Sequence, residues 1–280
     1  MSNRIDVKKT YKLYINGAFP RTESGRTYEV KNAKGAFVAN PCLASRKDLR
    51  DAVVAARAAH NGWNKATAYN RGQILYRIAE MLEGRRGQFV EEIMNVTGAT
   101  KTKAEKEVTD SVDRLVWYAG WTDKIASLAG STNPVAGPFY NFTIPESVGV
   151  VAAIAPESPS LLGLIDAVAP VITSGNTVIV LASTKAPLSA MTFAEVLATS
   201  DLPAGVINIL TGKKEEIAPW MASHMDIDAF DISGVPAKLH AEIKVAGAEN
   251  LKRIHSFKSA DPGRIIAFME AKTVWHPIGL

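Results

Sequence analysis

From residue 148 onward, short apolar runs alternate with longer amphipathic segments, and this alternation constrains the fold more than any other feature. Apolar runs of strand length fall at 148–154, 177–181, 206–210, 227–232 and 252–257. Helix-like segments lie between them, at 160–173, 187–199, 214–223 and 235–246. Strands that alternate with helices of this length favour right-handed βαβ units. The sequence therefore predicts an α/β fold: a Rossmann-like, mostly parallel sheet with helices on both faces.

A helical segment precedes this sheet in the sequence. Asn16-Gly17 lies between two apolar stretches and predicts a tight hairpin, because both residue types tolerate the positive φ angles of a type I′ turn. Ser45, followed by Asp48, is typical of a capping box at a helix start. Apolar residues at helical spacing then predict further helices at 70–84, 88–96 and 102–127.

Residues 128–147 differ in composition from the segments on either side. They are punctuated by Gly130, Pro134, Gly137, Pro138 and Pro145. Within them, Phe139-Tyr-Asn-Phe-Thr-Ile is rich in aromatic and β-branched residues, which predicts an extended strand.

Composition and charge exclude several function classes. The chain has 280 residues, 47% of them hydrophobic, and a net charge of +4 that is scattered along the sequence, so a nucleic-acid partner is not expected. The single cysteine, Cys42, excludes an intramolecular disulfide and a thiolate metal cluster. The five histidines lack ligand spacing, so no metal site is expected. No apolar stretch is long enough for a signal peptide or a membrane span, and a cytoplasmic protein with no membrane partner is expected.

Neither a G-x-G-x-x-G turn nor a Walker loop is present, yet four segments of the second half form a recognisable series. They are Ala155-Pro-Glu-Ser-Pro-Ser-Leu-Leu, Gly175-Asn-Thr-Val-Ile-Val-Leu, Asp201-Leu-Pro-Ala-Gly-Val-Ile-Asn-Ile-Leu and Ser223-His-Met-Asp-Ile-Asp. In this order they resemble A-P-W-N-F-P-L-L, G-N-T-V-V-L-K, G-x-P-x-G-V-x-N-x-V and S-H-x-x-I-D of the aldehyde dehydrogenase superfamily. Upstream, Tyr14-Ile-Asn-Gly and Arg71-Gly-Gln-Ile-Leu-Tyr-Arg-Ile-Ala fit the same family. The resemblance covers residues 11–256 and implies the family's cofactor-binding domain.

The departures from the family pattern fall on its functional positions. Ser158 stands where the family has the Asn that donates to the developing oxyanion, and Phe257 stands at the general-base Glu. The family's ribose-holding K-P-S-E corresponds to 181–184, and Lys214 replaces the second glycine of its G-x-G loop. Such a side chain would crowd a close backbone approach. Val235 replaces the Ser of F-T-G-S that contacts the pyrophosphate.

The resemblance thus outlines a vestigial cofactor pocket. Its positions are Ser158, Leu181, Ser183, Thr184, Gly212, Ser233, Gly234 and Val235. NAD or NADP is the cofactor that the family implies, but the changes at these positions leave no confident cofactor prediction.

The family's catalytic domain, which carries the nucleophilic Cys, has no counterpart in this sequence. After residue 256 the chain passes almost directly to Ile265-Ile-Ala-Phe-Met-Glu-Ala-Lys-Thr-Val-Trp, which resembles the family's C-terminal strand. Cys42 is the only thiol and lies outside the sheet region. The pattern resembles the degenerate second half of the two-domain aldehyde dehydrogenases.

The retained segments correspond to the family's oligomerisation arm. The expected division is a cofactor-type domain at 1–127 and 148–256, and an arm with the C-terminal strand at 128–147 and 257–280. Candidate partner contacts in the arm are Phe139, Tyr140, Phe142, Thr273, Val274 and Trp275. An alternative is a surface hairpin at 128–147 with Trp275 as a local core residue.

These expectations define three functional hypotheses. The first is a non-catalytic subunit that assembles with a full-length NAD(P)-dependent aldehyde dehydrogenase, with itself, or with both, and stabilises or regulates the enzyme. The second is residual NAD(P)-dependent aldehyde oxidoreductase activity through an unconventional nucleophile, for which loss of activity in Cys42→Ser would be the support. The third is a module that binds a dinucleotide without chemistry.

Overall fold

The computed structural model describes residues 9–279. Asn16 and Gly17 have φ angles of 53° and 73°, and Ile15 and Ala18 exchange two backbone hydrogen bonds of 3.0 Å. This confirms the hairpin turn predicted from Asn16-Gly17. Tyr14 pairs with Ile209, so the hairpin lies against the main sheet.

The helical segment follows a small antiparallel pair of strands, β1 (Val30–Lys31) and β2 (Phe37–Ala39). Its helices are α1 (Arg46–Lys65), α2 (Ala68–Glu83), α3 (Arg86–Thr97), α4 (Lys101–Ala119) and α5 (Ile125–Ala129). The capping box at the start of α1 is confirmed: the Asp48 N–H donates to Ser45 Oγ at 3.2 Å, and the Ser45 N–H donates to Asp48 Oδ2 at 2.8 Å.

The prediction of one helix over 102–127 was wrong, because the chain leaves the helix at Gly120 and re-enters one only at Ile125. The hydroxyl of Thr122 donates to the Ala119 carbonyl at 2.9 Å and so satisfies a group at the helix end. A β-carbon at Gly72 of α2 would lie 2.7 Å from Thr122 Oγ1, so this turn packs directly against α2.

Two antiparallel strands connect the helical segment to the main sheet. They are β3 (Ser131–Asn133) and β4 (Phe139–Ser147), and the second confirms the extended segment predicted at Phe139–Ile144.

The main sheet has five parallel strands in the order β7-β6-β5-β8-β9. They are β5 (Val150–Ile154), β6 (Thr177–Leu181), β7 (Ile207–Leu210), β8 (Ala229–Asp231) and β9 (Arg253–His255). The helices that connect them are α6 (Ser160–Thr173), α7 (Leu188–Leu197), α8 (Lys214–Ser223) and α9 (His240–Ala248). The predicted α/β fold is confirmed, although the helix expected from 235 begins with a 3₁₀ turn at Ala237–Leu239.

The sheet separates two apolar clusters, as expected for a parallel sheet covered on both faces. Val151 and Ala153 of β5 belong to one cluster, and Val150 and Ala152 belong to the other, because side chains alternate along a strand. Trp63 of α1 is buried and donates its indole N–H to the Ile172 carbonyl at 3.0 Å.

After β9 the chain forms a short helix, α10 (Gly263–Ile266), which packs against α6. It then enters β10 (Met269–Pro277), which pairs along its full length with β4. The strands β10, β4 and β3 form a separate antiparallel sheet, here called the arm sheet. Trp275 is 56% exposed, so the alternative in which it fills a local core was wrong. No helix in the described part of the chain is long and apolar enough to cross a membrane.

Candidate functional site

The carboxyl end of β5 is the point at which the strand order of the main sheet reverses. The chain runs outward from β5 through β6 and β7 on one side, and through β8 and β9 on the other. In open α/β sheets, ligands bind in the crevice outside the strands at such a switch point. The candidate site is therefore the crevice formed by the loops after β5 and β8.

Lys214 occupies this crevice. It is the first residue of α8, and its side chain is only 4% exposed. Its ammonium group donates to the carbonyl oxygens of Ala155, at 2.7 Å, and of Gly234, at 3.0 Å. Since Ala155 follows β5 and Gly234 follows β8, the ammonium joins the two walls of the crevice.

Glu157 provides the counter-charge. Its Oε1 atom lies 2.9 Å from Lys214 Nζ, and its Oε2 atom accepts from the Ser183 hydroxyl at 2.8 Å and from the Lys185 N–H at 3.1 Å. Burial raises the pKa of Glu157, but the bonds from Lys214, Lys185 and Ser183 outweigh burial and hold the pKa below its usual value. The Glu157 carboxyl is therefore ionised at neutral pH.

The other residues of the predicted pocket are dispersed around this pair. Leu181 and Val235 are buried in an apolar cluster, and the Thr184 hydroxyl donates to the Gly212 carbonyl at 2.8 Å. Ser158 and Thr184 line a cleft of about 630 Å³, together with Tyr28 and Glu157.

A second internal ion pair lies between the last residue of β8 and the segment after β9. The Arg264 guanidinium lies 2.8 Å from Asp231 Oδ2, and the two side chains are 7% and 1% exposed. The guanidinium also lies over the Phe257 ring, 4.7 Å from its centre. Asp231 Oδ1 accepts from the N–H and the hydroxyl of Ser233, at 2.9 and 2.5 Å, and Ser233 Oγ accepts from the Phe257 N–H at 2.8 Å.

This second pair borders a small cavity of about 180 Å³ at the amino end of α6. Asp166, which forms an ion pair with Arg114, lines the cavity beside Arg264. Burial raises the pKa of Asp166, and the charges of Arg114 and Arg264 offset only part of that effect. Phe257, at the family's general-base position, thus packs against an arginine and carries no proton-accepting group.

Sequence reasoning missed Glu157, Asp231 and Arg264. The sequence offered a signal only at Glu157, where a carboxylate replaces the family's Trp in the same motif as Ser158. Cys42 is 4% exposed and packs in an apolar cluster. Because a nucleophilic thiolate must reach its substrate, this position does not favour catalysis by Cys42. Among residues 9–279, no group of three or more His, Cys, Asp or Glu side chains could hold a metal ion.

The six candidate partner contacts divide between the two faces of the arm sheet. Val274 lies opposite Phe142, so these two and Tyr140 share a face, and Tyr140 and Phe142 line a cavity beside α5. The other face carries Phe139 and Trp275, whose rings are in edge-to-face contact at 5.8 Å. Thr273 lies on that face too, with its hydroxyl 3.1 Å from that of Thr143.

Comparison with known proteins identifies the family. The model of the aldehyde dehydrogenase family matches residues 19–257. The chain belongs to the aldehyde dehydrogenase family. Cytosolic 10-formyltetrahydrofolate dehydrogenase of Xenopus tropicalis is 35% identical over 265 residues, which are 90% of this chain and 28% of that protein. An aldehyde dehydrogenase of Emericella nidulans is 32% identical over 89% of this chain and 50% of its own length.

Solved structures of the family share the fold. The NAD⁺ complex of an aldehyde dehydrogenase from Bacillus cereus superposes with a TM-score of 0.81 at 29% identity, over 88% of this chain and 50% of that one. The chain thus spans about half, or less, of the length of the relatives that it matches.

The family implies a nicotinamide dinucleotide at the switch point, but the residues of this chain do not fit one. A dinucleotide brings an anionic pyrophosphate, which needs free hydrogen-bond donors and positive charge. Here the buried cation, Lys214, is paired with Glu157. The neighbouring backbone N–H groups of Lys185 and Ser233 already donate to the carboxylates of Glu157 and Asp231.

Proposed function

We propose that this chain is a non-catalytic aldehyde-dehydrogenase-like subunit that assembles with a full-length aldehyde dehydrogenase and stabilises or regulates it. The observation that carries the proposal is the arm sheet, whose long edge strand, β10, has no neighbour on its outer side within residues 9–279. An exposed edge of this length is a template for pairing with a strand of another chain.

The outer side of β10 presents backbone N–H groups at regular spacing. The Ile278 N–H donates to the Pro138 carbonyl at 2.8 Å, so it points toward β4. Because N–H directions alternate along an antiparallel strand, the N–H groups of Ala271, Thr273 and Trp275 point away from β4. These three groups are available to a partner strand.

The side chains next to this edge also favour a protein partner. Phe139, Tyr140, Trp275 and Ile278 are 40%, 47%, 56% and 52% exposed. Aromatic side chains are enriched in interface cores because they bury a large area with little loss of conformational entropy. Such a group beside a free edge favours assembly over a solvated surface.

The partner is inferred from family membership. The relatives named above are dehydrogenases, and this chain corresponds to at most about half of each. Its buried cations, Lys214 and Arg264, are paired with the chain's own carboxylates, and its one thiol is buried. A full-length enzyme would supply the strand against which the arm sheet pairs. We place the assembly in the cytoplasm, as the name of the Xenopus relative states for that protein.

The test is co-expression of this chain with a full-length aldehyde dehydrogenase from the same genome. The two proteins are purified through a tag on one of them, and the molar mass of the eluted species is measured by light scattering. The proposal predicts a complex that contains both chains. If the two proteins never co-elute, the heteromeric proposal is wrong, and a homo-oligomer would identify a second copy of this chain as the partner.

Two surface variants locate the interface. Trp275→Lys places a charge at the free edge, and Val54→Lys places one on α1, where Val54 is 63% exposed. The proposal predicts that the first variant loses the partner and that the second keeps it. The opposite result would move the interface from the arm sheet to α1.

A further inference from the structure

The donors of the switch-point crevice are saturated from within the chain. A lysine ammonium has three N–H groups. Those of Lys214 are matched by three acceptors: the carbonyl of Ala155 at 2.7 Å, that of Gly234 at 3.0 Å and the Glu157 carboxylate at 2.9 Å. No donor of this buried cation is left for a phosphate oxygen.

The carboxylate end of the pair blocks an anion in the same way. Glu157 accepts hydrogen bonds from the Ser183 hydroxyl and the Lys185 N–H, both in the loop after β6. Asp231, the last residue of β8, accepts hydrogen bonds from the N–H and the hydroxyl of Ser233. Hydroxyls and backbone N–H groups are the donors with which proteins hold phosphates. In this crevice these donors bind the chain's own carboxylates, and the negative charge of the carboxylates also repels an incoming anion.

The two substituted positions act together. Glu157 stands at the Trp of the family's A-P-W-N-F-P motif, and Lys214 stands at the second glycine of its G-x-G loop. A buried lysine or a buried carboxylate alone would be an uncompensated charge. Here each residue neutralises the other, across 57 positions of sequence, at the point where the family places its cofactor.

We infer that the Glu157–Lys214 ion pair is an internal substitute for the dinucleotide: it links the loops after β5 and β8 and excludes NAD⁺ and NADP⁺ from the crevice. The inference concerns the crevice and not the arm sheet, so it holds or fails independently of the proposed assembly. It also means that regulation of a partner enzyme by this chain does not depend on a nucleotide bound at this crevice.

The test measures binding of NAD⁺ and of NADP⁺ by calorimetry, on the wild type and on the double variant Glu157→Trp/Lys214→Gly, which restores the family's residues. Circular dichroism checks that each protein is folded. The expected result is at least tenfold tighter binding of one of the two dinucleotides by the double variant than by the wild type. Wild-type binding as tight as that of the double variant would overturn the inference, and so would a folded double variant that binds no better.

Lys213→Gly is the matched control. Lys213 is adjacent to Lys214, but its side chain is 55% exposed and lies 3.8 Å from Glu216. This variant introduces the same Lys-to-Gly change at the neighbouring position and leaves the Glu157–Lys214 pair in place, so it should bind no better than the wild type. Binding that improves equally in Lys213→Gly and in the double variant would show a general effect of a glycine at the start of α8 and would overturn the role of Lys214.

A measurement on the wild type alone covers the case in which the double variant does not fold. Hydrogen exchange of the Lys185 amide reports on its bond to Glu157. The expected rate is the same with and without millimolar NAD⁺ or NADP⁺. A dinucleotide-dependent change at residues 183–185, or at 155–158, would mean that the nucleotide enters the crevice, and the inference would be wrong.

Discussion

The buried pair of Arg264 and Asp231 fastens the segment after β9 to the main sheet, and its removal gives a quantitative test. The perturbation is Arg264→Met, which keeps much of the side-chain volume and deletes the guanidinium. Asp231, 1% exposed, then loses its cation, while its bonds from the N–H and hydroxyl of Ser233 remain.

The expected loss of unfolding free energy depends on the charge of Asp231, which stays buried without its cation. Removal of one partner of a buried ion pair costs about 3–5 kcal/mol, because the remaining charge is left uncompensated. Arg264 also lies 4.7 Å over the Phe257 ring, a contact worth roughly 1 kcal/mol. Two features reduce the cost: Asp231 keeps the bonds from Ser233, and the Arg264 Nε has no partner in the wild type. We expect Arg264→Met to lower the free energy of unfolding by about 3 kcal/mol.

The assay is urea unfolding followed by circular dichroism and tryptophan fluorescence. The matched control is Arg253→Met, since Arg253 forms an ion pair of 3.0 Å with Glu270 in which the side chains are 42% and 58% exposed. Such a surface pair contributes less than about 1 kcal/mol. Equal losses in the two variants, or a loss below about 1 kcal/mol in Arg264→Met, would refute the view that this buried pair holds the segment in place.

Two further predictions concern the same sheet. Gly234→Ala should lower the free energy of unfolding by at least about 2 kcal/mol in a urea titration, because a β-carbon there would lie 2.1 Å from the Ile154 carbonyl. The control, Gly62→Ala in α1, has open space around it and should raise the free energy of unfolding by about 0.5–1 kcal/mol. A neutral Gly234→Ala would contradict the close approach of the two loops. Burial lowers the pKa of Lys252 to about 8, so between pH 8 and 10 the unfolded chain holds more protons than the folded chain. The free energy of unfolding should therefore rise with pH in this range. Lys252→Met should flatten that rise in thermal unfolding, and an unchanged slope would exclude Lys252 as its source.

Much of the fold could be predicted because local signals agree with the packing. The runs at 160–173 and 214–223 coincide with α6 and α8, since apolar periodicity and burial have the same origin in a covered sheet. The helix predicted over 102–127 failed at Gly120. There the turn after the helix packs against Gly72 of α2, and a contact between distant segments leaves no periodic signal.

The candidate site could be predicted only in part. The family pattern directed attention to position 214, where a lysine was expected to crowd the backbone. The side chain instead folds inward and binds two carbonyls, which depends on Glu157 being within reach. Arg264 was missed because its partner, Asp231, lies 33 positions earlier and only the folded chain brings the two together. Sequence reasoning finds which side chains are unusual, whereas the pairing between them follows from the fold.

The central claim is that the edge of the arm sheet binds another protein through its backbone. The most direct measurement is hydrogen exchange at single-residue resolution over β10, with and without the co-expressed full-length aldehyde dehydrogenase. The account predicts slowed exchange at the outward-facing N–H groups of Ala271, Thr273 and Trp275, while the β10 N–H groups that point to β4 change little. Unchanged exchange at those three residues in a complex that contains both proteins would contradict the account.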